Sequence, residues 1–165
     1  MNAFPGKNPS TTQIAEICTG VLRESALLGA RLLPRAPREK DWDALGEKMT
    51  FSGSMRGQME AWVPRRIAAR LAANLLGLDP TGFACGKHEK NQGEEESGRD
   101  ALRELLALLC ADLLAGLNGG CADVRLGTAH ACDRPTRFEG PGAESDLWID
   151  IEGEPILLRL WLLPT

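Results

Sequence analysis

Residues Ser97–Leu117 read SGRDALRELLALLCADLLAGL, the longest strongly periodic stretch of the chain. Leu102, Leu105, Leu106, Leu109, Leu113, Leu114 and Leu117 recur at steps of three and four, which places them on one face of an α-helix. Leu, Ala, Arg and Glu favour that helix, and no β-branched residue crowds a preceding turn. Ser97 is the expected N-cap, and Asp100 and Glu104 set negative charge toward the positive end of the helix dipole. Asn118-Gly119-Gly120 is the expected stop, because glycine readily takes the left-handed backbone that ends helices. Away from the leucines, Glu104 stands beside the small residues Ala107 and Ala111. A carboxylate on such a smooth stripe suits contact with a partner.

The rest of the chain supplies the apolar surface to cover this helix. With 165 residues, 43% of them hydrophobic, one domain over residues 10–165 is expected, preceded by a flexible leader at 1–9. A net charge of −4 argues against nucleic acid as a partner, which calls for a basic surface. No apolar run approaches the roughly 20 residues that cross a bilayer. The opening MNAFPGKNPS lacks the apolar core of a signal peptide, so a cytoplasmic location away from membranes is expected. Five cysteines, an odd number without paired spacing, fit reduced thiols.

Upstream, Ser10-Thr-Thr-Gln13 has the form of a capping box, and Ile14, Ile17, Cys18, Val21, Ser25 and Leu28 share one helical face. A first helix over Thr11–Leu28 follows, then a polar connector from Leu33 to Asp43. Between Leu45 and Val63 the period changes to two on both sides of Gly53-Ser54, which predicts a β-hairpin. Pro64 suits the start of a second helix, with Ile67, Leu71, Ala72, Leu75 and Leu76 on its apolar face and Gly77 at its end. Thr81–Glu96 reads as a loop whose run Glu94-Glu95-Glu96 leads into helix three. Beyond that helix, Ala122–Ala131 reads as a strand and Thr136–Ser145 as a loop. Leu147, Ile149 and Ile151 alternate, Glu152-Gly153-Glu154-Pro155 turns the chain, and Ile156–Leu163 forms the partner strand of a second hairpin. The order α, ββ, α, α, β, ββ implies an α+β fold, an antiparallel sheet packed under helices.

Familiar catalytic signatures are missing: there is no GxxxxGK[ST] phosphate loop, GxSxG elbow or HExxH pair. Cys85-x2-His88 and His130-x-Cys132 hold the right ligand types for tetrahedral zinc. That site requires two distant loops to meet, and loop residues with free thiols are the expected reading, with no metal bound. Cys18 and Cys110 lie on apolar helix faces and are expected in the core. Arg31, Arg35, Arg38 and Lys40, with Arg65, Arg66 and Arg70, form two basic clusters. In an acidic chain these read as solvated surface rather than as a dock for an acidic protein.

At Asp100–Leu117, DALRELLALLCADLLAGL, the chain resembles the CheX branch of the CheC/CheX chemotaxis phosphatases, which dephosphorylate the response regulator CheY. Their motif is Asp or Ser, three residues, Glu, two residues, Asn, on a long helix. Asp100 and Glu104 match, Ala107 stands at the Asn position, and Ala111 stands where the family helix tends to carry glycine. The resemblance extends to Phe51–Gly57 (FSGSMRG) as the hairpin turn and Ala69–Gly77 (ARLAANLLG) as helix two, and so covers about Thr11 to Leu163. It implies that Glu104 is the catalytic glutamate that pairs with a regulator lysine, and that Asp100, Glu104, Ala107 and Ala111 contact the partner. It also implies a homodimer joined through sheet edges, with magnesium on the regulator and no cofactor held by this chain.

In the family the asparagine amide orients the water that attacks the aspartyl phosphate. Phosphoryl transfer depends on such positioning together with charge stabilisation, and an alanine methyl supplies neither. Loss of one such group lowers a rate by about 10²–10³. Two functions are therefore expected: a weak or altered phosphatase acting on phosphorylated CheY, or a non-catalytic adaptor that docks a regulator or sibling protein through the same helix. Helix one carries a faint echo of the motif, Thr12-x3-Glu16-x2-Thr19.

Overall fold

A computed structural model describes residues 9–37, 43–77, 92–117 and 123–163 of the chain. Its elements run α1 (Thr11–Glu24), β1 (Ala30–Leu32), β2 (Ala44–Gly53), β3 (Gly57–Pro64), α2 (Arg65–Leu76), α3 (Gln92–Leu117), β4 (Val124–Leu126), β5 (His130–Cys132), β6 (Ala143–Ile151) and β7 (Glu154–Leu162). The strands form one antiparallel sheet in the order β1-β6-β7-β3-β2-β4, with β5 also paired to β2. The three described helices cover one face of it, as the α+β expectation required. The leader to residue 8, most of the loop before α3, the stop at Asn118-Gly119-Gly120, and Trp42, Arg38 and Lys40 lie outside the described residues.

Alternation along the central strands creates the core. Leu45, Met49 and Phe51 of β2, Met59, Ala61 and Val63 of β3, and Ile156, Leu158, Leu160 and Leu162 of β7 are buried on the helix side. They meet Leu102, Leu105, Leu106, Leu109, Leu113 and Leu114 of α3, together with Ile14, Cys18, Val21 and Leu22 of α1. The expected leucine face of α3 is therefore the centre of the core. The opposite face of the sheet buries Trp62, Leu157 and Glu60. There the segment after β5 lies over the sheet: Thr136 N–H donates to Glu60 Oε2 at 3.1 Å, and Phe138 stacks on Trp161 with centroids 4.5 Å apart.

Local chemistry sets most of the boundaries. Ser10 Oγ accepts from Gln13 N–H at 3.2 Å and caps α1. Gly77, with φ of 66°, ends α2 as expected. The β6–β7 turn has two residues of positive φ, Glu152 at 52° and Gly153 at 91°, the pattern that matches the twist of a two-residue hairpin.

Four expectations need correction. Helix α1 ends at Glu24 rather than Leu28, because the chain turns at Leu27, whose φ is 54°. Leu28 still enters the core. Helix α3 begins at Gln92, so Ser97 is an interior residue and not the cap, and residues 92–96 are helix rather than loop. Glu95 accepts from Arg65 at 2.7 Å and from Arg99 at 3.3 Å, and these pairs hold the added turn. Gly98 faces α2, where a Cβ would lie 3.3 Å from the Ala68 methyl, so it serves close packing in place of helix propensity. The strand expected over Ala122–Ala131 is two short strands, β4 and β5, both paired to β2. Finally, β1 is an additional strand whose register on β6 pairs Ala30 with Ile151 and Leu32 with Ile149.

Candidate functional site on helix three

One turn of α3 after another places Asp100, Glu104, Ala107 and Ala111 along a single stripe, at steps of four, three and four residues. Asp100, Glu104 and Ala111 are exposed, and Ala107 is half-buried where the stripe borders the core. They differ in their partners. Asp100 Oδ1 accepts from Arg103 Nη1 at 2.9 Å. Glu104 engages no ion pair or hydrogen bond among the described residues. Ala107 and Ala111 add only methyl groups, which leaves the stripe smooth.

Behind the stripe, the helix is fixed to the sheet by charge. Glu47 lies on β2 in phase with Leu45, Met49 and Phe51, and its side chain is 0% exposed. Arg99 Nη1 donates to its Oε1 at 3.0 Å and Arg103 Nε to its Oε2 at 3.2 Å. The two arginines are one helical turn apart on α3, so a single buried carboxylate sets both the rotation and the height of that helix. Burial pulls the Arg103 guanidinium down in pKa, but its hydrogen bonds to Glu47 and Asp100, with their negative charge, outweigh it and the net shift is upward. A hydrogen bond from Arg65 holds the Glu95 carboxyl below its ordinary range.

None of Glu47, Arg99 or Arg103 is singled out by the sequence expectations. The signal was present as a carboxylate in the apolar phase of a strand, opposite two arginines four residues apart on a helix. Only the fold shows that the two segments meet.

Burial pushes the Cys18 and Cys110 thiols up to about 12, so both remain neutral core residues as expected. Burial does the same to Cys132, with Glu60 adding to the effect. His130 is exposed on β5, Cys85 and His88 lie outside the described residues, and among the described residues no group of metal-ligating side chains is assembled. Of the basic clusters, Arg31 pairs with Asp150, Arg65 with Asp43 and Glu95, Arg66 with Glu154, and Arg70 with Glu152, while Arg35 is exposed. These pairs tie elements together.

With this geometry in hand, the fold can be placed among known structures. The chain is similar to the CheX of a Borrelia burgdorferi CheX–CheY–BeF3–Mg complex, with a TM-score of 0.69 and 12% identity over 96% of this chain and 100% of that one. It is similar to chemotaxis protein CheX of Vibrio vulnificus at a TM-score of 0.67 and 14% identity, over 94% and 99% of the two chains. A CheC-like superfamily protein of a Shewanella species matches at 0.64 and 11% identity, over 96% and 100%. No protein-family model matches the chain, and no curated protein matches it in sequence. The class defined by the helices and sheet is the α+β fold of the CheC/CheX-like chemotaxis proteins. Within that class, the chain has a CheX-like fold.

Proposed function

We propose that this chain is a CheX-type chemotaxis protein that docks the phosphorylated form of a CheY-type response regulator on α3 and hydrolyses its aspartyl phosphate slowly or not at all. The observation that carries this is the outward stripe of Asp100, Glu104, Ala107 and Ala111 on a helix pinned to the sheet by Glu47. It is a rigid, acidic, small-residue surface of the kind that docks against a partner carrying a basic group. A relative of the same fold has been solved with CheY, beryllofluoride and magnesium. The magnesium belongs to the regulator in this scheme, and Glu104 is the residue that meets a basic group beside the phosphoaspartate.

What the stripe lacks is an amide. The positions that follow Glu104 along this side of α3 are Ala107, Leu108 and Ala111, none of which can hold a water in line. That favours a docking role with little turnover, and an adaptor that uses the same helix is the limiting case. A cytoplasmic location, a single domain over residues 10–165 and a homodimer joined through sheet edges complete the proposal.

The test is binding of the purified chain to a CheY-type regulator with and without beryllofluoride and magnesium. Binding is expected only to the charged regulator, weaker by about tenfold for Glu104→Lys because a like charge then faces the partner, with a phosphate lifetime close to spontaneous decay. If the charge reversal leaves binding unaltered, α3 is not the docking helix.

A further inference from the structure

We propose that Arg103 is the residue that sets the charge of the α3 stripe, neutralising Asp100 so that Glu104 is the carboxylate offered to a basic group of the regulator. The inference rests on the docking role of α3 and adds what selects within it. Asp100 and Glu104 are both exposed carboxylates one turn apart, and by spacing alone they are equivalent. Their surroundings are not. Arg103 Nη1 donates to Asp100 Oδ1 at 2.9 Å and reaches Glu96 Oε1 at 3.4 Å, while Glu104 faces solvent without a cation among the described residues.

An arginine on an exposed helix face would ordinarily swing aside for a partner, since a surface pair is worth little. Arg103 is held. Its Nε is bound to Glu47 Oε2 at 3.2 Å, and Glu47 has no exposed surface. Withdrawing the guanidinium would strip one of two cations from a buried carboxylate, a strongly unfavourable change. Arg99 supplies the other cation and continues the network through Glu95 to Arg65 and Asp43. Yet Arg103 keeps a third of its side chain exposed, so its charge reaches the docking surface while its position is dictated from inside.

This arrangement has two effects on a basic partner. It removes Asp100 as a competing acceptor, and it repels a cation that approaches the stripe one turn too early. Both steer the partner's basic group toward Glu104 and so fix the register of docking along the helix. Arg103 is thus a specificity-determining residue that touches the partner's path and not its phosphate.

Arg99 provides the control, because it grips the other oxygen of the Glu47 carboxylate but does not touch Asp100. Affinity for the beryllofluoride-charged regulator is measured for wild type, Arg103→Gln, Arg103→Lys and Arg99→Gln, with folding of each checked by circular dichroism. Arg103→Gln is expected to bind about threefold more tightly, the scale of one partly exposed charge at an interface rim. The gain should shrink between about 0.05 M and about 0.5 M salt as the charges are screened. Arg103→Lys should restore wild-type affinity, and Arg99→Gln should leave it unchanged. Equal shifts in Arg103→Gln and Arg99→Gln, or a gain that salt does not reduce, would overturn the role of Arg103 while docking on α3 stands. A wild-type protein that binds no charged regulator would overturn both.

Discussion

Helices α1 and α3 pack against one another on the same face of the sheet, with Gly116 leaving room for Ile17. They share one spacing: Thr12, Glu16 and Thr19 on one, Asp100, Glu104 and Ala107 on the other. On α1 the pattern is broken by burial. Thr19 is only 8% exposed, and its hydroxyl donates to Ala15 O at 2.8 Å and is 3.2 Å from Glu16 O. It is turned into its own helix, where it satisfies backbone acceptors instead of facing a partner. On α3 the third position is half-exposed but carries no polar atom. One helix has a hydroxyl turned inward, and the other has a methyl group at the corresponding position.

The second difference is how each helix is held. Helix α1 is held by an apolar face, a Ser10 cap and, in its last turn, Arg23, whose Nε and Nη2 donate to Ala30 O of the edge strand β1 at 2.9 and 2.6 Å. Helix α3 has that apolar face and, in addition, the buried Glu47 clamp. An apolar face tolerates small rotations, whereas two hydrogen bonds to one carboxylate do not. A motif presented to a partner needs this precision, since a misplacement of about 1 Å can lower a rate some 10²-fold.

Three experiments break or sharpen the comparison. The largest effect is expected from Ala107→Asn, which places an amide at the empty position of α3 and should shorten the regulator's phosphate lifetime by about 10²-fold. Measured phosphate release that stays at the spontaneous rate would mean the α3 scaffold differs from an active site in more than one group. Next, Leu109→Ala removes a side chain with no exposed surface from the core face of α3 and should destabilise the fold by about 3 kcal/mol in urea unfolding. A loss under about 1 kcal/mol would mean that α3 is less central to the core than its burial indicates. The smallest effect is expected on α1. Glu16→Lys and Thr19→Val should each alter regulator affinity by less than about twofold, the range of a charge or hydroxyl outside the contact. A tenfold loss in either would make α1 a second docking helix.

The parts of the fold that follow a local period were legible in the sequence. Leucines at helical spacing in α3, alternation in β2, β3 and β6, the capping serine of α1 and the glycine ending α2 all act within a few residues, and the structure has them where expected. Misreadings came where a distant partner overrides local preference. Gly93 and Gly98 argue against helix at residues 92–98, but Arg65 on α2 and the close packing at Gly98 hold it there. Strand β1 has three residues and no alternation to read, and exists because β6 offers it a ladder.

The candidate site divides in the same way. Sequence alone determined which residues lie on the stripe, because a helix puts positions 100, 104, 107 and 111 on one side whatever surrounds it. It also determined that the stripe lacks an amide, since Ala107 is alanine in any fold. Tertiary structure alone decided that Asp100 is paired and Glu104 is not, because the arginine that makes the difference is steered by Glu47, which lies 56 residues away in the chain and whose carboxylate oxygen is 3.2 Å away in space. Periodicity fixes the direction in which a side chain points. The charge it meets there depends on what the rest of the chain folds against it.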